Sequence, residues 1–434
     1  MIIVDAALRE LERSGTPIRV GMVGAGFMGQ GLANQIVNSV PGMRLVAVAG
    51  RRLERAAHVV DYAGGAPISV DSADGLDAAI GGGGTAITTD PHLLCRSPNV
   101  DVIVEATGAV EDAIHVVMEA FRHGKDVVLL NAELDATIGP ILQVKAREHG
   151  VIMSACDGDE PGVQLNLVRW VRGLGLVPRV VGNVKGLQDP YRNPTTQQGF
   201  AERWGQNPAM VTSFADGTKI SFEQSIVANA TGFRVLQRGM SRGREFRELP
   251  EKLPELYLPI LDEIRELGGI IDYTVGTIGT KVYVLAEHLD PRQRHYLDLY
   301  HMGPGPLYAF WVPYHLVHFE VPNAIARVRI FRDSLAPSLG GPVVEVCAVA
   351  KRDLVCGETL DDYGHYMTYG EAVNADEMMR ERLLPEGLVQ GCVLRSDIPR
   401  DAVIRYDDVD LPAGRLADAL RTEQYVHFFG SSPI

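Results

Sequence analysis

The stretch Gly24-Ala25-Gly26-Phe27-Met28-Gly29 constrains this chain more than any other, because of what flanks it. The apolar run Ile18-Arg19-Val20-Gly21-Met22-Val23 precedes it, and a helix-like pattern from Gly26 to about Val40 succeeds it. A strand turning through GxGxxG into a helix is the pattern of a dinucleotide-binding unit. The first glycine permits the tight turn, the second lets backbone approach a pyrophosphate, and the third lets the helix pack closely. The helix amino terminus then offers unpaired N–H groups and a positive dipole end to phosphates. Gly24, Gly26, Phe27, Met28 and Gly29 are therefore candidate cofactor contacts; the plain alternative is a glycine-rich structural turn.

The next 130 or so residues are consistent with a repeating unit. Leu45 to Ala49, Val100 to Glu105, Val127 to Leu130 and Val151 to Met153 are further buried-strand candidates separated by helical stretches. Such alternation gives an α/β fold, a doubly wound parallel sheet with helices on both faces. The second strand ends Ala49-Gly50-Arg51-Arg52. A carboxylate would hold both ribose hydroxyls of NAD at that place. Here the side chain is absent at Gly50, and a guanidinium at Arg51 or Arg52 suits a 2′-phosphate. NADPH is the expected cofactor. Thr107-Gly108 and Asn131 come after later strands, on the edge where open parallel sheets bind ligands, so they border the nicotinamide or simply cap strand ends.

Charge and cysteine content exclude several other classes. Asp plus Glu number 55 against 41 Lys plus Arg, a net charge of −14, and no basic run offers a nucleic-acid footprint. No apolar stretch reaches the ~18 residues of a membrane span. The amino terminus reads as a short amphipathic helix without a signal peptide's regions. Five scattered cysteines form neither a disulfide framework nor a zinc pattern. A cytoplasmic location is expected.

The 434 residues, 46% of them hydrophobic, are enough for about three domains. The expected division is a dinucleotide-binding domain over 1–158, a central α+β catalytic domain over 159–335, and a β-rich module over 336–434. The last begins at the Pro- and Gly-rich piece Ala336 to Pro342. In the central part Asp157-Gly158-Asp159-Glu160 either coordinates Mg²⁺ or Mn²⁺ through oxygen ligands or caps the helix that Pro161 starts. Lys185 lies between Asn183-Val184 and Gly186 after an apolar strand, and Lys219 precedes a helical stretch containing Glu223. A carbonyl receiving hydride needs a positive donor for its developing oxyanion, and a desolvated lysine supplies it. Lys219 is expected in that role, bracketed by Asp216 and Glu223, with Lys185 and Glu223 assisting proton transfer. Arg192 and Thr195 in one polar turn, Arg242 in a basic glycine-spaced loop, and His301 are candidate substrate contacts, as is Asp159. Arg327 to Ile330 reads as a late strand. His315 and His318 are either metal ligands or hydrogen-bonded, partly buried histidines.

With these motifs in view, the chain resembles a known group. The fingerprint, DVIVEATG and SACDGDEPGV look like the homoserine-dehydrogenase-like superfamily. The block GNVKGLQDPYRNPTTQQGFAERWGQNPAMVTSFADGTKISFEQ is similar to the 1-deoxyxylulose 5-phosphate reductoisomerase-like family of the second type. The tail, with AKRDLVCGETL and LPEGLVQGCVLRSDIPRDAVI, resembles a SAF-type module. The resemblance implies NADPH-dependent conversion of deoxyxylulose phosphate into methylerythritol phosphate, and a homodimer. It also marks a departure: homoserine dehydrogenases carry a lysine after the asparagine at the strand end, where this chain has Ala132. Fold alone does not fix the substrate. A dehydrogenase of another sugar acid, polyol or hydroxy compound, and a nucleotide sensor without turnover, remain as alternatives.

Overall fold

The computed structural model describes residues 4–432. Seven strands form one parallel sheet: β1 (Ile18–Val23), β2 (Met43–Ala49), β3 (Pro67–Ser69), β4 (Thr85–Thr88), β5 (Val102–Glu105), β6 (Asp126–Leu129) and β7 (Met153–Ala155). Their order is β3-β4-β2-β1-β5-β6-β7. Helices cover both faces, which is why β2, β5 and β6 are apolar runs rather than alternating ones. The order reverses between β1 and β5, so the crevice beyond their carboxyl ends is where a sheet of this kind takes its ligand. β3 and β4 were not expected from the sequence. β3 is three residues long and largely exposed, and β4 begins and ends in threonine, so neither shows an apolar run.

The central part is more regular than its composition implied. β8 (Val177–Lys185), β9 (Arg244–Glu245), β10 (Ile270–Val275), β11 (Val282–Glu287) and β12 (Leu307–Val312) form a mixed sheet in the order β12-β11-β8-β10-β9. Helices Glu160–Gly173 and Thr218–Thr231 pack on one face, and Leu253–Tyr257 with Leu261–Glu266 on the other. Every residue of the Thr218–Thr231 helix is buried. It is hydrophobic enough to sit in the core, and the polar side chains it carries must therefore find partners inside.

Two expectations need correction. Arg327–Phe331 is a helical turn continuing the Val317–Ala326 helix, not a strand. The alternating R-V-R-I pattern misled because Arg327 is itself buried, its guanidinium paired with Asp157 and Asn166 at 3.2 and 2.7 Å. Contacts also cross the expected boundary at 335. Val321, Ala324, Ile325 and Val328 lie in the same core as Val20, Met22 and Leu32, so the chain returns to the first sheet before the tail begins. The tail is only partly β. β13 (Val344–Ala350) and β14 (Thr368–Asn374) pair antiparallel. The 14-residue helix Leu416–Phe429 then packs on the Ala132–Glu148 helix, where buried Arg421 donates to the Thr137 carbonyl at 2.9 Å. No helix among the described residues is long and apolar enough to cross a membrane.

Candidate active site

At the carboxyl end of β1 each glycine of the fingerprint has a separate physical reason. Gly24 has φ +119°, and a Cβ there would lie 2.6 Å from the Ala106 carbonyl oxygen. A Cβ on Gly29 would lie 2.3 Å from the Gly24 oxygen, whereas one on Gly26 would meet nothing within 4 Å. Gly26 is also the first-turn cap of the Phe27–Ser39 helix and brings no side chain to it. Open space therefore lies before free helix N–H groups, which fits a diphosphate. Phe27 is 49% exposed beside this opening, with Met28 partly so. Arg51 and Arg52 are exposed, and their guanidinium groups make no hydrogen bond or ion pair within the described residues. A Cβ at Gly50 would meet the Ala25 Cβ at 3.0 Å, which leaves little room for a carboxylate side chain at that strand end.

The adjoining loops are braced from beneath. Thr107 donates its backbone N–H to Glu105 at 2.9 Å, and its hydroxyl donates to the same oxygen. Asn131 caps the Ala132–Glu148 helix and donates to Glu105 at 2.8 Å and to the Ala109 carbonyl at 2.7 Å. Both amide hydrogens of Asn131 are thus engaged within the protein, so it braces the loop beyond β5 rather than presenting a free donor. Burial pushes the Glu105 carboxyl up to about 7 against these hydrogen bonds. Asp135, one turn into the helix, is buried and has an oxygen without a partner in a small pocket lined also by Asn131, Cys156 and Asp159. Burial alone pushes its carboxyl to about 7.

Beyond this edge the structure assembles a compact ionic cluster. Lys219 Nζ lies 3.1 Å from Glu133 Oε1. Lys185 Nζ lies 2.8 Å from Glu160 Oε1 and 3.4 Å from Glu223 Oε2. His315 Nε2 is 3.8 Å from Glu160. Burial disfavours the charge on both lysines, but Glu133, Asp159 and Glu223 outweigh it at Lys219, and Glu160 and Glu223 at Lys185, so both stay ammonium ions. Burial and then the neighbouring Glu160 drive the Glu223 carboxyl well above its usual range, while Lys185 and His315 overcome burial to hold Glu160 well below. Burial also raises Asp159, against the pull of Lys219. The group is a charged donor, Lys219, beside the buried Glu223 carboxyl, whose proton affinity burial raises, in a site screened from water.

The expected lysines and Glu223 are thus brought together, and Asp159 joins them. Asp159 stands at the cap position of the Glu160–Gly173 helix but its side chain makes no capping bond, while Asp157 serves Arg327 and Asn166. Asp216 does not bracket Lys219: it pairs at 2.9 Å with buried Lys351 of the tail. The other substrate candidates lie outside the cluster. Arg192 pairs with Asp189, Thr195 bonds Tyr366, and Arg242 binds Glu371 and Tyr369. His301 is exposed in the turn before β12. Through the intervening β11, the register sets the start of β12 at the same end of the sheet as the start of β8, whereas Lys185 ends β8. His318 packs on the opening helix, where a Cβ at Gly31 would touch its ring at 2.8 Å.

The sequence singled out Glu160 and His315 only as possible metal ligands or cap and core residues, and it gave neither the pairing of Glu133 with Lys219 nor Tyr363. Oxygen and nitrogen atoms of Asp159, Glu160 and His315 come within 4.8 Å of one another. That donor set does not fit a divalent ion as it stands, because the Lys185 ammonium already occupies Glu160.

Residues 24–154 match the homoserine dehydrogenase NAD binding domain, and residues 158–321 match the catalytic domain described as oxidoreductase DRL. A homoserine dehydrogenase of Pseudomonas aeruginosa is 25% identical over 281 residues, 55% of this chain and 61% of that protein. One of Bacillus subtilis is 36% identical over 64 residues, 15% of each chain. The chain thus spans less than two thirds of these curated relatives. Among solved structures, a probable dehydrogenase from Thermotoga maritima superposes with TM-score 0.41 at 13% identity, over 74% of this chain and 91% of that one. Two segments of the chain thus match oxidoreductase domains, one for NAD binding and one catalytic, each over less than half of its length.

Proposed function

We propose that the protein is an NADPH-dependent reductase of a small polyhydroxylated carbonyl compound, with Lys219 as the group that polarises the carbonyl. The observation carrying this is a buried ammonium 3.1 Å from Glu133, with the Glu223 carboxyl one turn along the same helix, at the carboxyl edge of the cofactor sheet. When bound, reduced nicotinamide supplies a hydride to the carbonyl carbon. Lys219 donates a hydrogen bond to the carbonyl oxygen and passes it the proton that completes the hydroxyl. Glu133 keeps Lys219 charged and aimed. Glu223 is the proton store nearest the cluster, and Lys185 holds Glu160 and Glu223 in place. At the cofactor end the fingerprint glycines receive the diphosphate, and Arg51, with Arg52 beside it, receives the 2′-phosphate.

Within that class, the first substrate to test is deoxyxylulose phosphate, with methylerythritol phosphate as the product of rearrangement and reduction. Ala132, in place of the lysine expected of homoserine dehydrogenases, speaks against homoserine. A second reading, reduction of an unphosphorylated sugar acid or polyol precursor, is favoured by the pairing of Arg192 with Asp189 and of Arg242 with Glu371. That pairing leaves neither guanidinium free for a substrate phosphate. Incubation with deoxyxylulose phosphate, NADPH and Mg²⁺ or Mn²⁺ separates the two: absence of methylerythritol phosphate eliminates the reductoisomerase. NADPH consumption with members of a carbonyl panel then supports the second reading. Binding of NADPH without turnover of any panel member identifies a sensor instead. A homodimer is proposed as the working assembly, in keeping with the family resemblance.

A further inference from the structure

The loop Thr107-Gly108-Ala109 leaves β5 and borders the crevice, and side chains from three separate segments fasten it. Glu105 takes the Thr107 N–H and hydroxyl, and Asn131 donates to the Ala109 carbonyl. Both belong to the same sheet domain. The third fastener comes from the tail, 255 positions away: the Tyr363 hydroxyl donates to the Gly108 carbonyl. Gly108 has φ +74°, a conformation few side chains tolerate, so its carbonyl has one direction and needs a fixed partner.

Tyr363 is itself held firmly. Its ring meets Phe222 edge-on at 5.8 Å, next to Glu223 on the lysine-bearing helix. Its N–H donates to Asp362 at 2.9 Å, and it is buried. The adjacent Gly364 lies flat against the Pro208–Asp216 helix, where a Cβ would come 2.3 Å from the Ala209 oxygen. Lys351 then bridges the His365 and Arg192 carbonyls at 2.9 and 2.8 Å. This part of the tail is fixed to the catalytic half, and the Tyr363 hydroxyl carries that attachment to the loop after β5.

We propose that Tyr363 is a positioning residue for the nicotinamide cofactor, fixing the Gly108 carbonyl so that the loop keeps the shape the cofactor requires. The inference rests on the cofactor reading above. It gives the C-terminal module a role in the reaction site rather than only in stability. A neutral hydrogen bond to a fixed carbonyl contributes about tenfold in an equilibrium constant.

The test is Tyr363→Phe in the full chain, which keeps the ring against Phe222 and removes only the hydroxyl. The dissociation constant for NADPH, by calorimetry, is expected to rise about tenfold, with KM for NADPH rising in step and kcat at saturating NADPH changing less than about twofold. Amide exchange at Gly108 and Ala109 is expected to quicken in the cofactor-free variant while the melting temperature stays close to that of the unaltered protein. Equal NADPH affinity in the two proteins overturns the inference and leaves the cofactor reading intact. So does a lower melting temperature with affinity unchanged, which marks a merely structural tyrosine. If the unaltered protein binds neither NADPH nor NADH, both fall together.

Discussion

The two ends of the crevice use charge in opposite ways. At the fingerprint end the surface is open: Gly26 leaves space above the helix terminus, and Arg51 and Arg52 project without partners among the described residues. At the lysine end the side chains of Lys219 and Lys185 are only 10% and 12% exposed, and each is paired with carboxylates from other segments. A free surface guanidinium waits for a ligand charge and is separable from the fold. A buried ammonium in a compensated cluster is not, since removing it strands a carboxylate that burial already penalises. Substitutions at the first end should therefore change ligand preference alone, and those at the second should change stability and chemistry together.

The largest effect is expected at Lys185. Lys185→Met leaves Glu160 buried without its 2.8 Å partner, and the unfolding free energy should drop by about 3–5 kcal/mol in urea titrations. A loss below about 1 kcal/mol would show that the cluster is hydrated, and the contrast would break. Next, Lys219→Ala should lower turnover about a hundred- to a thousandfold with NADPH affinity nearly unchanged, read from single-turnover rates and calorimetry. Unaltered turnover would remove Lys219 from the chemistry. At the open end Arg51→Ala should reduce the preference for NADPH over NADH roughly tenfold to a hundredfold at constant melting temperature. The Arg51 assignment would be falsified if both kcat/KM values fell equally.

The smallest effect sharpens the comparison by pH. Glu105 and Asp135 are both pushed up to about 7 by burial, from ordinary values of 4.5 and 3.8. Between those ordinary values and about 7 the folded state holds protons that the unfolded chain has lost. Raising the pH through that window therefore destabilises the fold, by at most about 1.4 kcal/mol per pH unit for each group. The double substitution Glu105→Gln with Asp135→Asn should flatten the fall in urea midpoints; an unchanged slope would place its origin elsewhere.

The open end was legible because its signals are local. Gly24, Gly26 and Gly29 act within six residues, and Arg51 comes directly after its strand. The cluster was legible in its members but not in its pairing. Lys219, Lys185 and Glu223 stand out as charges in apolar or glycine-rich settings, yet Asp216 beside Lys219 in sequence pairs with Lys351, 135 positions on. Glu133, the true partner of Lys219, is 86 positions away. Adjacent residues at the end of a helix point in different directions, so nearness in sequence says little about which charges meet.

By itself the sequence determined the doubly wound sheet, the glycine turn at its carboxyl edge and which charged side chains stand in apolar or glycine-rich settings. Each of these arises from backbone sterics or hydrophobic period within a few turns of chain. Only the tertiary structure decided which carboxylate faces which lysine, that Arg192, Arg242 and His301 stay outside the cluster, and that Tyr363 reaches Gly108. Those outcomes depend on how separate elements stack. Burial and distance, which set the strength of every charge involved, exist only once the elements are packed.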